Sequence, residues 1–349
     1  MHWMSHLLTG LIEKTVVHYF NAFSLFFMLL LVSNAGGASE FPSHTPSTPP
    51  VQTLLVRHIV PQQAPDLYHL ANDKQQDFLH GRWVAVKHQQ ALLCAVQQLN
   101  DCISQLPFSL QQLASLQPDV IKNQLGMKTA MVLSINHENV AGIVVYSDHQ
   151  HNAVQTATVA NEVYKLELKQ QLLLSIWHEL GHLHNISMQG SLLSDTLTQY
   201  EHEWLADIYV YWLVAQSQVE MKLIWQQFHR RNLAVMDNRR NLQHWSSPYL
   251  LPLLNEQTFM LAKSTHEYSR FLQLVLADMP KWQQKDIDEM ASLLKQTFDS
   301  GVTQHLPHYL FWRQAELSDI LQPTLQIVMG EEYAKAWLST QFVEVNLVF

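Results

Sequence analysis

The 349-residue chain has few charged side chains, and it has no cluster of basic residues suited to a polyanion. Asp, Glu, Lys and Arg together make up 15% of the sequence, and the formal charge at pH 7 is −9. This balance argues against binding to a nucleic-acid backbone, which needs clustered Lys and Arg. The one local basic group is expected to be a solvated helix end and consists of Arg230, Arg231, Arg239 and Arg240.

Cysteine is nearly absent, and the two that occur, Cys94 and Cys102, lie eight residues apart. The segment 55–125 is predicted to be mostly helical, because apolar residues recur in it at helical spacing. On one unbroken helix the two cysteines would lie about 12 Å apart along the axis, beyond the reach of a disulfide. Two buried thiols are therefore expected, and a disulfide would require the chain to turn at Asn100–Asp101.

The N-terminal region has an apolar run of only eleven residues, Ala22–Val32, followed by small residues up to Ala38. Such a run is typical of a secretory signal peptide, so residues 1–38 are predicted to direct export to the periplasm or the exterior. The alternative is an uncleaved membrane anchor, because extension back to Val16 gives about seventeen residues. No cysteine follows the run, which disfavours a lipoprotein. Residues 39–52, rich in proline and serine, are predicted to be a linker.

The remaining residues predict an α+β, predominantly helical fold. A hydrophobic content of 47% indicates an ordered globular chain. Residues 53–216 are expected to hold N-terminal helices, a small sheet and the metal-binding helices, and residues 217–349 a helical C-terminal lobe. Strand-like segments are Met131–Ile135 and Gly142–Tyr146, with Gln155–Val159 as a third candidate. His149 and His151, in the turn between the last two, are expected to be solvated.

The sequence His178-Glu179-Leu180-Gly181-His182 lies in a predicted helix over Lys165–Asn185. Histidines four residues apart share one helix face, with about 5–6 Å between their Cβ atoms, so both imidazoles can reach a single zinc ion. Glu179 is rotated off that face, too far to be a ligand but near enough to accept a proton from a water that the metal activates. These are the parts of a metal-assisted hydrolase.

A third ligand is predicted 21 residues after His182, at Glu203, on a second helix over about Ser194–Gln216. A catalytic zinc site needs three protein ligands and one open position. Asp207 follows on the same helix face and could accept a hydrogen bond from a ligating histidine, which would fix the tautomer of that ring. Glu201 and Asp195 are weaker candidates for the ligand, and His184 points away from His182.

Taken together, His178, Glu179, His182, Glu203 and Asp207 resemble the pattern of the gluzincin metallopeptidases, over residues 171–207. The resemblance implies a zincin-like fold, a Zn²⁺ cofactor, and a small sheet next to the first metal-binding helix, whose edge strand pairs with an extended peptide. It also implies a downstream His or Tyr that stabilises the oxyanion of the reaction. His266 is a candidate for that role, and its rivals are His244, Tyr249 and His308.

The sequence thus predicts an exported zinc-dependent peptidase that acts on peptides or proteins, with possible membrane association through the N-terminal apolar segment. A second hypothesis is an exported helical binding or assembly module whose zinc site is structural or vestigial. A closed site without an open coordination position would favour that hypothesis. A third hypothesis, metal-dependent hydrolysis of a non-peptide bond, uses the same residues.

Overall fold

A computed structural model describes residues 80–147, 153–217, 220–298 and 311–342 of the chain. The predicted signal or anchor, the linker, His149, His151 and His308 lie outside these residues. All described residues belong to one compact unit, which is mostly helical with a small sheet, so the α+β class is confirmed at that level. Among the described helices, none is both long and apolar enough to cross a membrane.

The main sheet has four strands: β1 (Arg82–Val86), β2 (Gln89–Ala95), β3 (Ala130–Ser134) and β4 (Val140–Tyr146). Their spatial order in the sheet is β1-β2-β4-β3. The β1–β2 and β3–β4 pairs are antiparallel, whereas β2 and β4 are parallel. Strands β3 and β4 confirm the two predicted strand segments. In this sheet β3 is an edge strand, and the helix that carries His178 and His182 packs against it.

Both faces of the main sheet are buried, which explains why its central strands are apolar at almost every position. Side chains alternate between the faces of a strand. Leu93 and Val144 join the core shared with the large helices, while Leu92 and Ile143 join a second core on the opposite face. That second core is closed by α1 (Leu99–Ile103), α2 (Phe108–Gln111) and α3 (Pro118–Leu125).

The prediction of a mostly helical segment up to residue 125 is wrong at its centre, because β1 and β2 occupy Arg82–Ala95. A strand buried on both faces lacks the alternation that distinguishes a strand from a helix. Cys94 lies in β2 and Cys102 lies in α1, and a 3₁₀ turn at Val96–Gln98 reverses the chain between them. Their Cα atoms are 5.7 Å apart and the two residues form a disulfide, so the expectation of two thiols is also wrong.

A separate antiparallel hairpin consists of β5 (Val154–Val159) and β6 (Glu162–Glu167). Its two turn residues, Ala160 and Asn161, both have positive φ angles (53° and 65°), which suits a tight two-residue hairpin loop. The third predicted strand is therefore present, but it does not join the main sheet. The helix that carries the histidines begins at Gln171, since β6 occupies the segment where Lys165 was expected to open it.

Two long helices follow, α4 (Gln171–Ile186) and α5 (Gln199–Gln216). Thr198 and Glu201 form a capping box that starts α5, with each side chain hydrogen-bonded to the backbone N–H of the other residue. Almost all of α5 is buried, so it forms the centre of the helical part. The later helices are α6 (Lys222–Asp237), α7 (Ser247–Leu250), α8 (Glu256–Ser264), α9 (Tyr268–Leu276), α10 (Gln284–Phe298), α11 (Phe311–Met329) and α12 (Glu331–Gln341).

Candidate metal centre

The candidate ligands lie beside a close contact between the backbones of α4 and α5. A Cβ atom on Gly181 would lie 2.9 Å from Cα of Ala206 and 3.0 Å from its carbonyl oxygen, so only glycine fits at this contact. The helices run antiparallel, because His178 contacts Asp207 whereas His182, one turn later, faces Glu203. The close approach of the two backbones brings the side chains of both helices to one point.

His178, His182 and Glu203 each offer a ligand atom, and these atoms all lie within 4.8 Å of one another. Nε2 of His178 is 3.1 Å from Oε2 of Glu203, and Nε2 of His182 is 3.9 Å from Oε1. Ligands about 2.1 Å from a tetrahedral zinc ion are about 3.4 Å from one another. The donor set and its spacing therefore fit a divalent metal ion with only small adjustments of the side chains.

Asp207 holds the ring of His178 in place. Its Oδ1 lies 2.8 Å from Nδ1 of His178, and the carboxylate is completely buried. Because the carboxylate can only accept, Nδ1 donates a hydrogen to Asp207, and the opposite ring nitrogen, Nε2, faces Glu203, where a metal ion would take the place of its proton. Asp207 also accepts hydrogen bonds from Arg231 (Nε to Oδ2, 2.7 Å), from Gln227 (2.8 Å) and from the hydroxyl of Ser246.

The surroundings of the two histidines shift their pKa values in opposite directions. Burial lowers the pKa of His178, but Asp207 and Glu203 outweigh it and raise the pKa to about 9. Burial and the neighbouring His178 lower the pKa of His182 to about 3. Burial works against ionisation of Glu203 and Asp207, yet hydrogen bonds and positive neighbours hold the pKa of each well below its usual range. Both carboxylates are therefore ionised, as metal binding requires of Glu203.

Glu179 lies on the wall of a cavity of about 720 Å³ that His178, His182 and Glu203 also line. Burial raises the pKa of Glu179 above its ordinary value, although the positive charge of His178 opposes the shift. Residues from Lys128 to Val132, which include the start of the edge strand β3, line the same cavity. A carboxylate with a raised pKa beside three ligand atoms is placed to accept a proton.

The structure does not bring His266 to this cavity. It is exposed, and its nearest hydrogen-bonding partner is Gln216, 3.5 Å away and thirteen residues beyond Glu203 on α5. That distance along a helix is about 20 Å. Its rival Tyr249 is buried and stacks on Trp204. His244 does line the cavity, and its Nδ1 is 2.8 Å from Oε2 of Glu203.

The weaker ligand candidates do not line the cavity. Glu201 caps α5, Asp195 is exposed in the connection between α4 and α5, and the ring of His184 stacks on Tyr209. Sequence reasoning missed Arg231, because the basic group around it was expected to be solvated, whereas its guanidinium is buried against Asp207. Gln227 lies four residues before Arg231, so helical spacing could have predicted that both side chains lie on one face of α6.

A scan against protein-family models and searches of curated proteins and of solved structures find no match to this chain.

Proposed function

We propose that the protein is a zinc-dependent peptidase of the gluzincin type, with His178, His182 and Glu203 as metal ligands and Glu179 as the general base. One observation carries the proposal: three ligand atoms within 4.8 Å of one another and an unligated glutamate line the same open cavity. A site that only stabilises the fold is usually closed by four protein ligands. Here the described residues supply three, and the cavity gives access to the remaining position.

Each residue has a distinct task in this proposal. Zinc, when bound, supplies a Lewis acid that acidifies water and polarises a carbonyl group. Glu179 accepts a proton from the attacking water and passes it to the nitrogen of the departing amine. Asp207 orients His178. His244 replaces His266 as the candidate donor to the carbonyl oxygen of the substrate, because His244 lines the cavity and His266 does not.

A peptide is the favoured substrate because an edge strand borders the cavity. Of the described strands, only β4 pairs with β3, and Ala130, Met131 and Val132 of β3 line the cavity. The outer edge of such a strand offers backbone donors and acceptors to an extended chain. This feature favours a peptidase over a hydrolase for some other bond.

We also propose that the protein works in an oxidising compartment. The Cys94–Cys102 disulfide supports this, since disulfides persist in exported proteins and are rare in the reducing cytosol. The apolar segment that begins at Ala22 agrees with export. Fractionation of cells followed by thiol labelling tests this proposal, and recovery of the protein in the cytosol with two free thiols would contradict it.

Zinc content and peptide cleavage test the proposed activity together. Purified protein should carry about one zinc ion per chain. Glu179→Gln should retain the metal and lose hydrolysis of an unstructured protein such as casein, whereas Glu203→Ala should lose both. Gln199→Ala, at another cavity-lining position, serves as the control for general damage to the cavity. Zinc binding without cleavage of any peptide would favour the alternative, a binding module with a structural zinc site.

A further inference from the structure

One positive charge on the wall of the cavity is not explained by the metal centre. Arg230, on α6, lines the cavity together with His178 and Glu203. Its Nε donates to Oε1 of the neutral side chain of Gln227 (3.0 Å), and none of the ion pairs between described residues involves it. A partly buried guanidinium normally faces an anion, because removal of its charge from water is costly.

The guanidinium is held by a short chain of hydrogen bonds that begins at the metal ligand. Gln227 donates from Nε2 to Asp207 (2.8 Å), and its Oε1 accepts from Arg230. Asp207 in turn holds His178. Arg230 is thus anchored at Nε, and its two terminal nitrogens form a planar fork that suits both oxygens of a carboxylate.

The other charges of the cavity do not neutralise Arg230. Glu203 is contacted by His178 and His244, and the adjacent Arg231 is bound to Asp207. Lys128 adds a second cation to the wall. Burial and the charge of Arg231 lower the pKa of Arg230 to about 9, and the carboxylates of Asp207 and Glu203 oppose this shift only in part. The cavity therefore has positive side chains in a protein whose formal charge is −9.

We propose that Arg230 binds a carboxylate group of the substrate, so that the cavity selects peptides with an acidic side chain or a free C-terminal carboxylate. As a statement about cleavage this rests on the proposed peptidase function, but as a statement about binding it does not. A charge-assisted pair with two parallel hydrogen bonds gives both affinity and orientation. Arg230 is thus a specificity-determining residue outside the ligand set.

Peptide binding to the zinc-loaded Glu179→Gln protein tests the proposal without interference from cleavage. The probes are fluorescein-labelled alanine-rich hexapeptides in three forms: neutral with an amidated C-terminus, amidated with one internal Glu, and neutral with a free C-terminal carboxylate. Fluorescence anisotropy at low salt should show that at least one carboxylate form binds about tenfold more tightly than the neutral form. Comparison of the two carboxylate forms identifies which source of the group is used.

The preference should disappear in Arg230→Gln and persist in part in Arg230→Lys, which keeps the charge but loses the fork. Arg240→Gln removes the same charge from an exposed position and should leave the preference intact. Equal binding of all three peptides, binding of none, or an unchanged preference in both Arg230 variants overturns the proposal. Cleavage by the unmodified protein is scored separately: selective binding without cleavage refutes the peptidase, and cleavage without selection refutes the carboxylate site.

Discussion

Substitution of Gly181 by alanine should weaken metal binding although no ligand is changed. The added Cβ would lie 2.9 Å from Cα of Ala206 and 3.0 Å from Cβ of Tyr209. Carbon atoms in contact are normally about 3.5–4.0 Å apart, so α4 and α5 must separate by about 0.6 Å at this point. Metal–ligand distances tolerate only about 0.2 Å. The two histidines are on α4 and Glu203 is on α5, so this separation increases the distances between the ligand atoms of the histidines and that of Glu203.

We expect Gly181→Ala to reduce zinc affinity by about tenfold or more, similar to the loss of a hydrogen bond that orients a ligand. Competition with a chromophoric zinc chelator measures this. Overpacking of the contact costs about 1–3 kcal/mol of unfolding free energy, which the better helix propensity of alanine offsets by about 1 kcal/mol. Urea unfolding of the metal-free protein should therefore show a net loss of about 2 kcal/mol or less.

A control separates this effect from a general loss of stability. Ile121 is fully buried in the core on the far face of the sheet, and Ile121→Val should cost about 0.5–1.5 kcal/mol. It should leave the zinc affinity of the folded protein unchanged. If the Gly181→Ala protein binds zinc as tightly as the unmodified protein, the contact between α4 and α5 does not set the ligand spacing.

Three further predictions concern single residues. Asp207→Asn should lower zinc affinity about 10–100-fold in the same competition assay, because the carboxylate fixes the ring of His178, and unchanged affinity would exclude that role. Replacement of both Cys94 and Cys102 by serine should cost about 2.5 kcal/mol in urea unfolding, as expected for a loop of eight residues, and should leave the zinc site intact. Burial lowers the pKa of His229 to about 4, so its contribution to stability is present above about pH 6.5 and is lost as the pH falls towards 4. Between pH 7.5 and 5.0 the metal-free protein should lose about 2 kcal/mol more than the His229→Gln variant, and equal losses would contradict this.

The three candidate metal ligands could be predicted from the sequence because they are close in sequence or repeat at helical spacing. Histidines at i and i+4, and Glu203 and Asp207 at i and i+4, need only two helices that pack side by side. The strands β1 and β2 could not be read in the same way, because burial on both faces removes the alternation of polar and apolar residues. The disulfide was missed for the same reason, since it depends on the chain turning after Ala95.

Long-range contacts decide which later residues reach the cavity, and local sequence patterns do not predict these contacts. Arg231 and His244 are remote in sequence from the histidines, and only the packing of α6 and of the segment after it against α5 brings them to Asp207 and Glu203. His266 had the better local sequence context, yet α5 carries its partner Gln216 to the opposite end of the helix from the site. A motif on one helix predicts which of its side chains share a face, but it does not predict which later segment of the chain packs against that face.

The buried charges around Asp207 are better explained by the orientation of His178 than by stability. Asp207 receives hydrogen bonds from His178, Arg231, Gln227 and Ser246, and its carboxylate is excluded from solvent. Burial of the Asp207–Arg231 ion pair costs several kcal/mol per ion, and apolar residues of the same volume would stabilise a fold equally well. What apolar residues cannot do is fix a ring nitrogen as a hydrogen-bond donor and so leave Nε2 for a metal. The network thus favours a site that must present one defined face of His178 to the cavity.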